Sequence, residues 1–236
     1  MKTFSASTLS QYIEIIEKNC GHDNWLFRGQ QEDWPMLPKI ARIVTRQDRL
    51  EDEQRMISDF RRQIGQYASV QPANDWDLLS IAQHHGMATR LLDWTLSPLV
   101  ALWFAVERPA LDATKSAIVY MFKYNRNDLV SHPDKVSPFA LGKTLFFVPY
   151  TVTNRIRVQR GYFSVHRQTK KWNWVSLQKN QAFKSRLSKV EIAPKDFPSL
   201  RYALDQCGIN RASMFPDLDG LCSYLTWSYS LDKDEI

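Results

Sequence analysis

The chain reads as an α+β domain in which N-terminal helices pack on a mixed or split β-sheet. Three stretches carry that reading. RLEDEQRMISDFRRQIGQYA (49–68) sets Leu50, Met56, Ile57, Phe60 and Ile64 on or near one helical stripe. SPLVALWFAVE (97–107) places a Ser at the cap and a Pro at the first helical position, a well-formed helix start. SAIVYMFKY (116–124), a run of β-branched and aromatic residues, is the clearest strand.

The remaining elements follow in order. STLSQYIEIIEKNCG predicts a first helix capped by Ser7 or Thr8, with Leu9, Tyr12, Ile13 and Ile16 at helical spacing and Gly21 to stop it. NWLFRG reads as a short buried strand ended by Gly29, and QQEDWPMLPKIAR as an ordered loop with two prolines. DWDLLSIAQHHG is a helix capped at Asp75 and stopped at Gly86; TRLLDWT is extended. Residues 125–153 read as loop, with SPFALGKTLFFVPYTVT irregular. RVQRGYFSVHR and SRLSKVEIAP read as strands, FPSLRYALDQCG as a helix, and MFPDLDGLCSYLTWSYSL as a turn and a last helix.

At 236 residues the chain can bury a core without disulfide staples. No repeat, low-complexity tract or linker divides it. It is expected to form a single domain over 1–236, with a helical half to about 110 and a strand-rich half from 111. The formal charge of +6 suits a polyanionic partner or a nucleotide phosphate, and solubility equally. Cys20, Cys207 and Cys222 lack metal-type spacing and read as reduced thiols. The N-terminus turns polar too soon for a signal peptide, and no apolar run approaches the roughly 18 residues of a membrane span. The expectation is a soluble, cytoplasmic protein.

Several polar groups sit in apolar sequence. Arg28 follows Trp25, Leu26 and Phe27, and a buried guanidinium demands a carboxylate, a phosphate or a cluster of carbonyls. Gly29 beside it admits a ligand or another backbone. The competing reading is an internal ion pair between Arg28 and Asp93. Gln83, His84 and His85 close one helix, and Thr89, Arg90, Asp93, Thr95 and Ser97 follow. In an extended chain Thr89, Asp93 and Thr95 share one face while Arg90 and Trp94 share the other, so Asp93 can meet Arg28 while Arg90 does something else. Adjacent histidines without a cysteine argue against zinc, so no metal is expected. Residues 155–171 hold Arg155, Arg157, Arg160, Arg167, Lys170 and Lys171 with no acid, followed by Trp172 and Trp174. This pattern suits single-stranded nucleic acid, or a charged strand edge. Asp217 and Asp219 read as turn residues, too few for a cation site.

FRG at 27–29, then LPKIAR, RMISDF, QHHGMATRLLDWTLSPLVALWFA, NRIRVQRGYFSVH and GINRASMFPDLDGL together resemble the FRG-domain family across most of the chain. A more distant resemblance is to ADP-ribosyltransferases of the Arg–Ser–Glu type. Their aromatic-Arg-Gly strand is matched by FRG. Their Ser-Thr-Ser strand and following helix are similar in layout to LLDWTLSPLVALWFA, with Asp93, Trp94 and Thr95 at the Ser-Thr-Ser positions. Their glutamate-bearing strand resembles IRVQRGYFS, where Gln159 and Gly161 replace the glutamates. A carboxylate would then come from Glu51, Glu53, Asp93 or Asp217.

This resemblance implies an enzyme that cleaves NAD or transfers ADP-ribose, acting as a toxin or phage-defence effector. Arg28 would clamp the pyrophosphate, with Gly29 admitting it. Gln83 or His84 would bind ribose, and Trp94 or Tyr162 would stack on nicotinamide. Asp93 or Glu53 would stabilise developing positive charge; Arg90, Thr95, Ser97 and Gln159 complete the expected site. Two alternatives stand beside it: a nucleotide or nucleic-acid binding module without turnover, and a protein-interaction domain.

Overall fold

The computed structural model describes residues 1–21, 24–46, 48–67, 72–149, 158–167 and 174–230. Seven strands form one open mixed sheet: β1 (Lys2–Ser5), β2 (Trp25–Gln30), β3 (Leu91–Thr95), β4 (Ala117–Lys123), β5 (Leu145–Phe147), β6 (Gly161–Val165) and β7 (Leu187–Ile192). Their order is β1-β7-β4-β2-β3-β6-β5. The β1–β7 pair is parallel and the other pairs are antiparallel. The mixed α/β class agrees with the sequence, and both kinds of element occur on either side of residue 110. Strands β1, β2 and β3 precede residue 110, and three helices follow residue 196: α6 (Phe197–Gln206), α7 (Arg211–Met214) and α8 (Leu218–Tyr229).

Helices α1 (Leu9–Cys20), α3 (Arg49–Gln63), α4 (Asp75–His84), α5 (Pro98–Val106) and α6 share one face of the sheet. There α1, α5 and α6 pack on Phe27, Val119, Met121 and Val190 of the β1-β7-β4-β2 half. On the β3-β6-β5 half, α3 and α4 bring Ile57, Trp76 and Ile81 onto Leu91, Phe147, Phe163 and Val165. The opposite face carries Leu26, Trp94, Ile118, Tyr120, Phe122 and Phe146, covered by Met36, Leu177 and Phe183 from connecting segments. Period-two alternation along each strand sorts the side chains between these faces.

The two half-sheets meet at β2 and β3, which share a single registered pair, Phe27↔Thr95. Strand β2 pairs with β4 from Trp25 to Gln30, and β3 pairs with β6 from Leu91 to Thr95, so each keeps its outer neighbour while the inner edges part. Helix α5 lies directly behind the junction. Ser97 caps it by accepting from the Val100 amide at 3.3 Å, and Pro98 starts it. A Cβ on Gly29 would lie 1.9 Å from the Ala101 carbonyl oxygen. Gly29 therefore admits another backbone, the helix, rather than a ligand, and β2 continues past it to Gln30.

Other boundaries also move. Asn74, not Asp75, caps α4 by accepting from the Asp77 amide at 3.0 Å. The stretch expected to be irregular contains β5, and β1 was not foreseen. A short helix α2 (Lys39–Arg42) lies within the proline-rich loop.

Candidate functional site

A cleft of about 450 Å³ opens where β2 and β3 part. That is within the range of small-molecule sites, roughly 300–1,000 Å³. One wall is Arg28 to Gln30 with Trp34 and Arg42 from the segment after β2. Asp93, Trp94 and Thr95 of β3, with Gln159 and then Gly161, Tyr162 and Phe163 of β6, form the other. The end of α4 supplies Gln83 and His84; α5 supplies Ala101 and Phe104, with Glu107 and Arg108 just beyond it.

Arg28 dominates the cleft electrostatically. Its Nη1 donates to the Asp93 carbonyl at 2.7 Å, bridging the parted strands, and its Nε donates to Gln30 Oε1 at 3.2 Å. The Gln30 amide is fixed in turn, donating to the Trp34 carbonyl at 3.0 Å. Among the described residues no carboxylate lies within ion-pair distance of Arg28; it touches Asp93 through backbone only. Burial pushes the guanidinium down to about 10 and neighbouring Arg42 pushes the same way, against the attraction of Asp93. It stays cationic at neutral pH, and its remaining N–H groups are suited to an anion.

The Asp93 carboxylate, on the other face of β3, is held from α4. Gln83 Nε2 donates to Asp93 Oδ2 at 2.9 Å, and buried Thr89 donates its hydroxyl to Gln83 Oε1 at 2.7 Å. Thr95 donates to the Gln159 carbonyl at 2.6 Å, and Gln159 Nε2 donates to the Met214 carbonyl at 3.1 Å. Arg160, next in the chain, has φ of 47°, a left-handed conformation uncommon for a side-chain-bearing residue. Thus the segment from 159 to 162 is shaped at the cleft edge.

Six expected residues are elsewhere or differently employed. Glu53 and Arg90 form a buried ion pair away from the cleft, Arg90 Nη2 to Glu53 Oε2 at 2.6 Å, Glu53 on the buried side of α3 and Arg90 just ahead of β3. Ser97 is consumed as the α5 cap. Trp94 lies at the cleft wall, but its indole is buried against Phe122 and Phe146 and donates to Ser164 Oγ at 3.0 Å, so it cannot stack on a ligand. Tyr162, half-buried at the cleft, remains able to. Glu51 and Asp217 do not line the cleft; Asp217 caps α8 by accepting from the Gly220 amide at 2.8 Å.

Sequence reasoning missed Arg42, Phe104 and Glu107. Glu107 follows α5 and pairs with Arg211 at 3.1 Å. Only Arg42 carried a signal, as a second arginine in a proline-rich loop after FRG. The basic 155–171 stretch is seen in part: Arg160 and Arg167 are exposed, while Arg155, Arg157, Lys170, Lys171 and Trp172 lie outside the described residues. Among the described residues no group of three or more His, Cys, Asp or Glu could hold a metal ion, and no helix is long and apolar enough to cross a membrane.

Comparison with protein families matches residues 23–119 to the FRG domain. That segment runs from the edge of β2 into β4, and it supplies Arg28, Arg42, Gln83, Asp93 and Glu107 to the cleft. No curated protein and no solved structure matches the chain.

Proposed function

Because the chain carries an FRG domain, with Arg28 at the cleft between β2 and β3, we propose that this cleft binds a dinucleotide of the NAD type and cleaves its nicotinamide–ribose bond. The observation that carries the proposal is Arg28, a desolvated cation in an open cleft, with a second arginine beside it and, among the described residues, no carboxylate paired to it. A pyrophosphate would supply the missing countercharge in bidentate geometry.

The strand order supports the distant resemblance to ADP-ribosyltransferases. The three segments that carry it, FRG, LLDWT and RVQRGYFS, contribute to adjacent strands β2, β3 and β6 around one cleft. In the reaction, the bond from ribose C1′ to nicotinamide breaks and its electron pair leaves with nicotinamide. Water or an acceptor nucleophile forms the new bond to C1′ and gives up a proton. Developing positive charge on the ribose calls for a carboxylate, and Asp93 and Glu107 are the acidic side chains lining the cleft. Tyr162 and Phe104 provide flat surfaces. An NAD consumer of this kind would serve as a toxin or phage-defence effector.

One observation favours a second reading, nucleotide binding without turnover. Gln159 stands where the enzymes carry a glutamate, and its amide is committed to the Met214 carbonyl. Nicotinamide release from NAD separates the two. Wild type should release it, and Arg28→Ala should lose about 100-fold or more while keeping its fold. Arg28→Lys, which keeps the charge but not the fork, should fall between. NAD binding by calorimetry without release selects the second reading. Release or binding indifferent to Arg28→Ala rejects the cleft as the nucleotide site.

A further inference from the structure

We infer that Gln83 and Asp93 form a clamp for a vicinal diol, so that the cleft selects ribonucleotides over their deoxy counterparts, with Thr89 as the positioning residue. The inference rests on the reading of the cleft as a nucleotide site and says which part of the nucleotide these residues meet.

The argument begins at Thr89, which is fully buried. Its hydroxyl oxygen accepts from the Leu91 amide at 3.1 Å, while its proton goes to Gln83 Oε1 at 2.7 Å. The Asp93 carboxylate can only accept, so it takes the amide N–H of Gln83, and the Thr89 proton holds the amide oxygen at the other end. With its oxygen turned to Thr89, Gln83 must present its NH₂ to Asp93, and does so at 2.9 Å from Oδ2. That bond leaves two groups at the cleft. Asp93 Oδ1 has no hydrogen-bond partner among the described residues, and Gln83 keeps its second N–H.

One group accepts and its neighbour donates. Two adjacent hydroxyls on a sugar match that pair: one donates to the carboxylate, and the other accepts from the amide. A phosphate group does not, because its negative charge is repelled by the Asp93 carboxylate. Backbone geometry ties the clamp to the anion site, since Arg28 holds the carbonyl of the same Asp93 at 2.7 Å. A nucleoside diphosphate would therefore lay its phosphates on Arg28 and its ribose on Gln83 and Asp93.

The test is calorimetric titration of the full chain with ADP, 2′-deoxy-ADP, 3′-deoxy-ADP and inorganic pyrophosphate. Hydrogen bonds to a charged group are the stronger, so removing the hydroxyl that donates to Asp93 should weaken binding about tenfold or more, and removing the one that accepts from Gln83 about twofold or more. Asp93→Asn and Gln83→Leu should erase that preference while leaving pyrophosphate binding unaffected or stronger. Thr89→Val should shrink the preference by freeing the amide to turn, and Thr89→Ser should restore it. A purely packing role for Thr89 would not alter the ratio between ADP and its deoxy forms. Equal affinity for ADP and both deoxy forms overturns the clamp and leaves the anion site standing. If neither ADP nor pyrophosphate binds, the nucleotide reading falls and the clamp with it.

Discussion

Arg28 and Arg90 show how differently a guanidinium can be used within one chain. Arg90 gives its Nε and Nη2 to Glu53 Oε2 at 2.9 and 2.6 Å, and its own backbone N–H to Glu53 Oε1 at 2.6 Å. Its Nη1 reaches the Pro138 carbonyl at 3.1 Å and its plane lies over Phe139. Every strong interaction is internal, and the side chains are 3% and 0% exposed. Arg28 has a carbonyl and an amide for partners and an open cleft in front of it. Deleting Glu53 would leave Arg90 buried and charged without a partner. Glu53→Ala should therefore cost about 3–5 kcal/mol in urea unfolding, whereas Asp93→Asn should cost less than about 1 kcal/mol. Equal costs would show that Asp93 is scaffold. Strand alternation put Arg90 and Asp93 on opposed faces, but Arg90 lies just before β3 and turns to α3, on the side from which α4 holds Asp93. The partner of Arg90 was not legible, because Glu53 lies 37 residues earlier in another element. The expected pairing of Arg28 with Asp93 is realised only through the backbone.

Among the elements, those whose periodicity and caps agree were readable in the sequence: α1, α3, α5, β4 and β7. β1 and β5 were hidden for a common reason. Each is short and at one edge of the sheet, so its pairing is decided by a neighbour far away in sequence. Gly29 illustrates the same limit. The sequence shows that something must approach it closely; only packing shows that it is α5. A methyl group there would fall 1.9 Å from the Ala101 carbonyl oxygen and 2.7 Å from the Ala105 nitrogen, both backbone atoms of α5. Neither can rotate away, so the helix must lift from β2. Gly29→Ala should destabilise by about 3 kcal/mol or more in urea unfolding, at the upper end of overpacking costs. It should also disturb the cleft, because Phe104 and Glu107 move with the helix. A variant of undiminished stability would mean that α5 is not seated on β2 as described.

At the scale of the whole molecule, stability against acid follows from what lies beneath the half-sheet junction. His166, just past β6, is fully buried, and burial pushes its imidazole down to about 3 from 6.5. Arg28 acts in the same direction. Trp94 donates to Ser164 Oγ at 3.0 Å, and Ser164 Oγ lies 3.0 Å from His166 Nε2, an arrangement suited to a neutral ring that accepts the serine proton. The unfolded chain takes up a proton on this histidine below 6.5, while the folded protein refuses it until about 3. Between those values the unfolded state binds more protons, so stability falls as pH falls. The contribution is fully present above 6.5 and is lost progressively toward about 3. Each proton so linked changes stability by about 1.4 kcal/mol per pH unit. Between pH 7.5 and 5 the protein should lose roughly 2 kcal/mol more than a His166→Gln variant, which has no such proton to take up. Urea unfolding of both proteins at the two pH values measures the difference. Carboxylates held low, such as Asp33 and Asp128, titrate mainly below this interval and are common to both proteins. Parallel pH profiles would place a charged, solvated histidine at position 166.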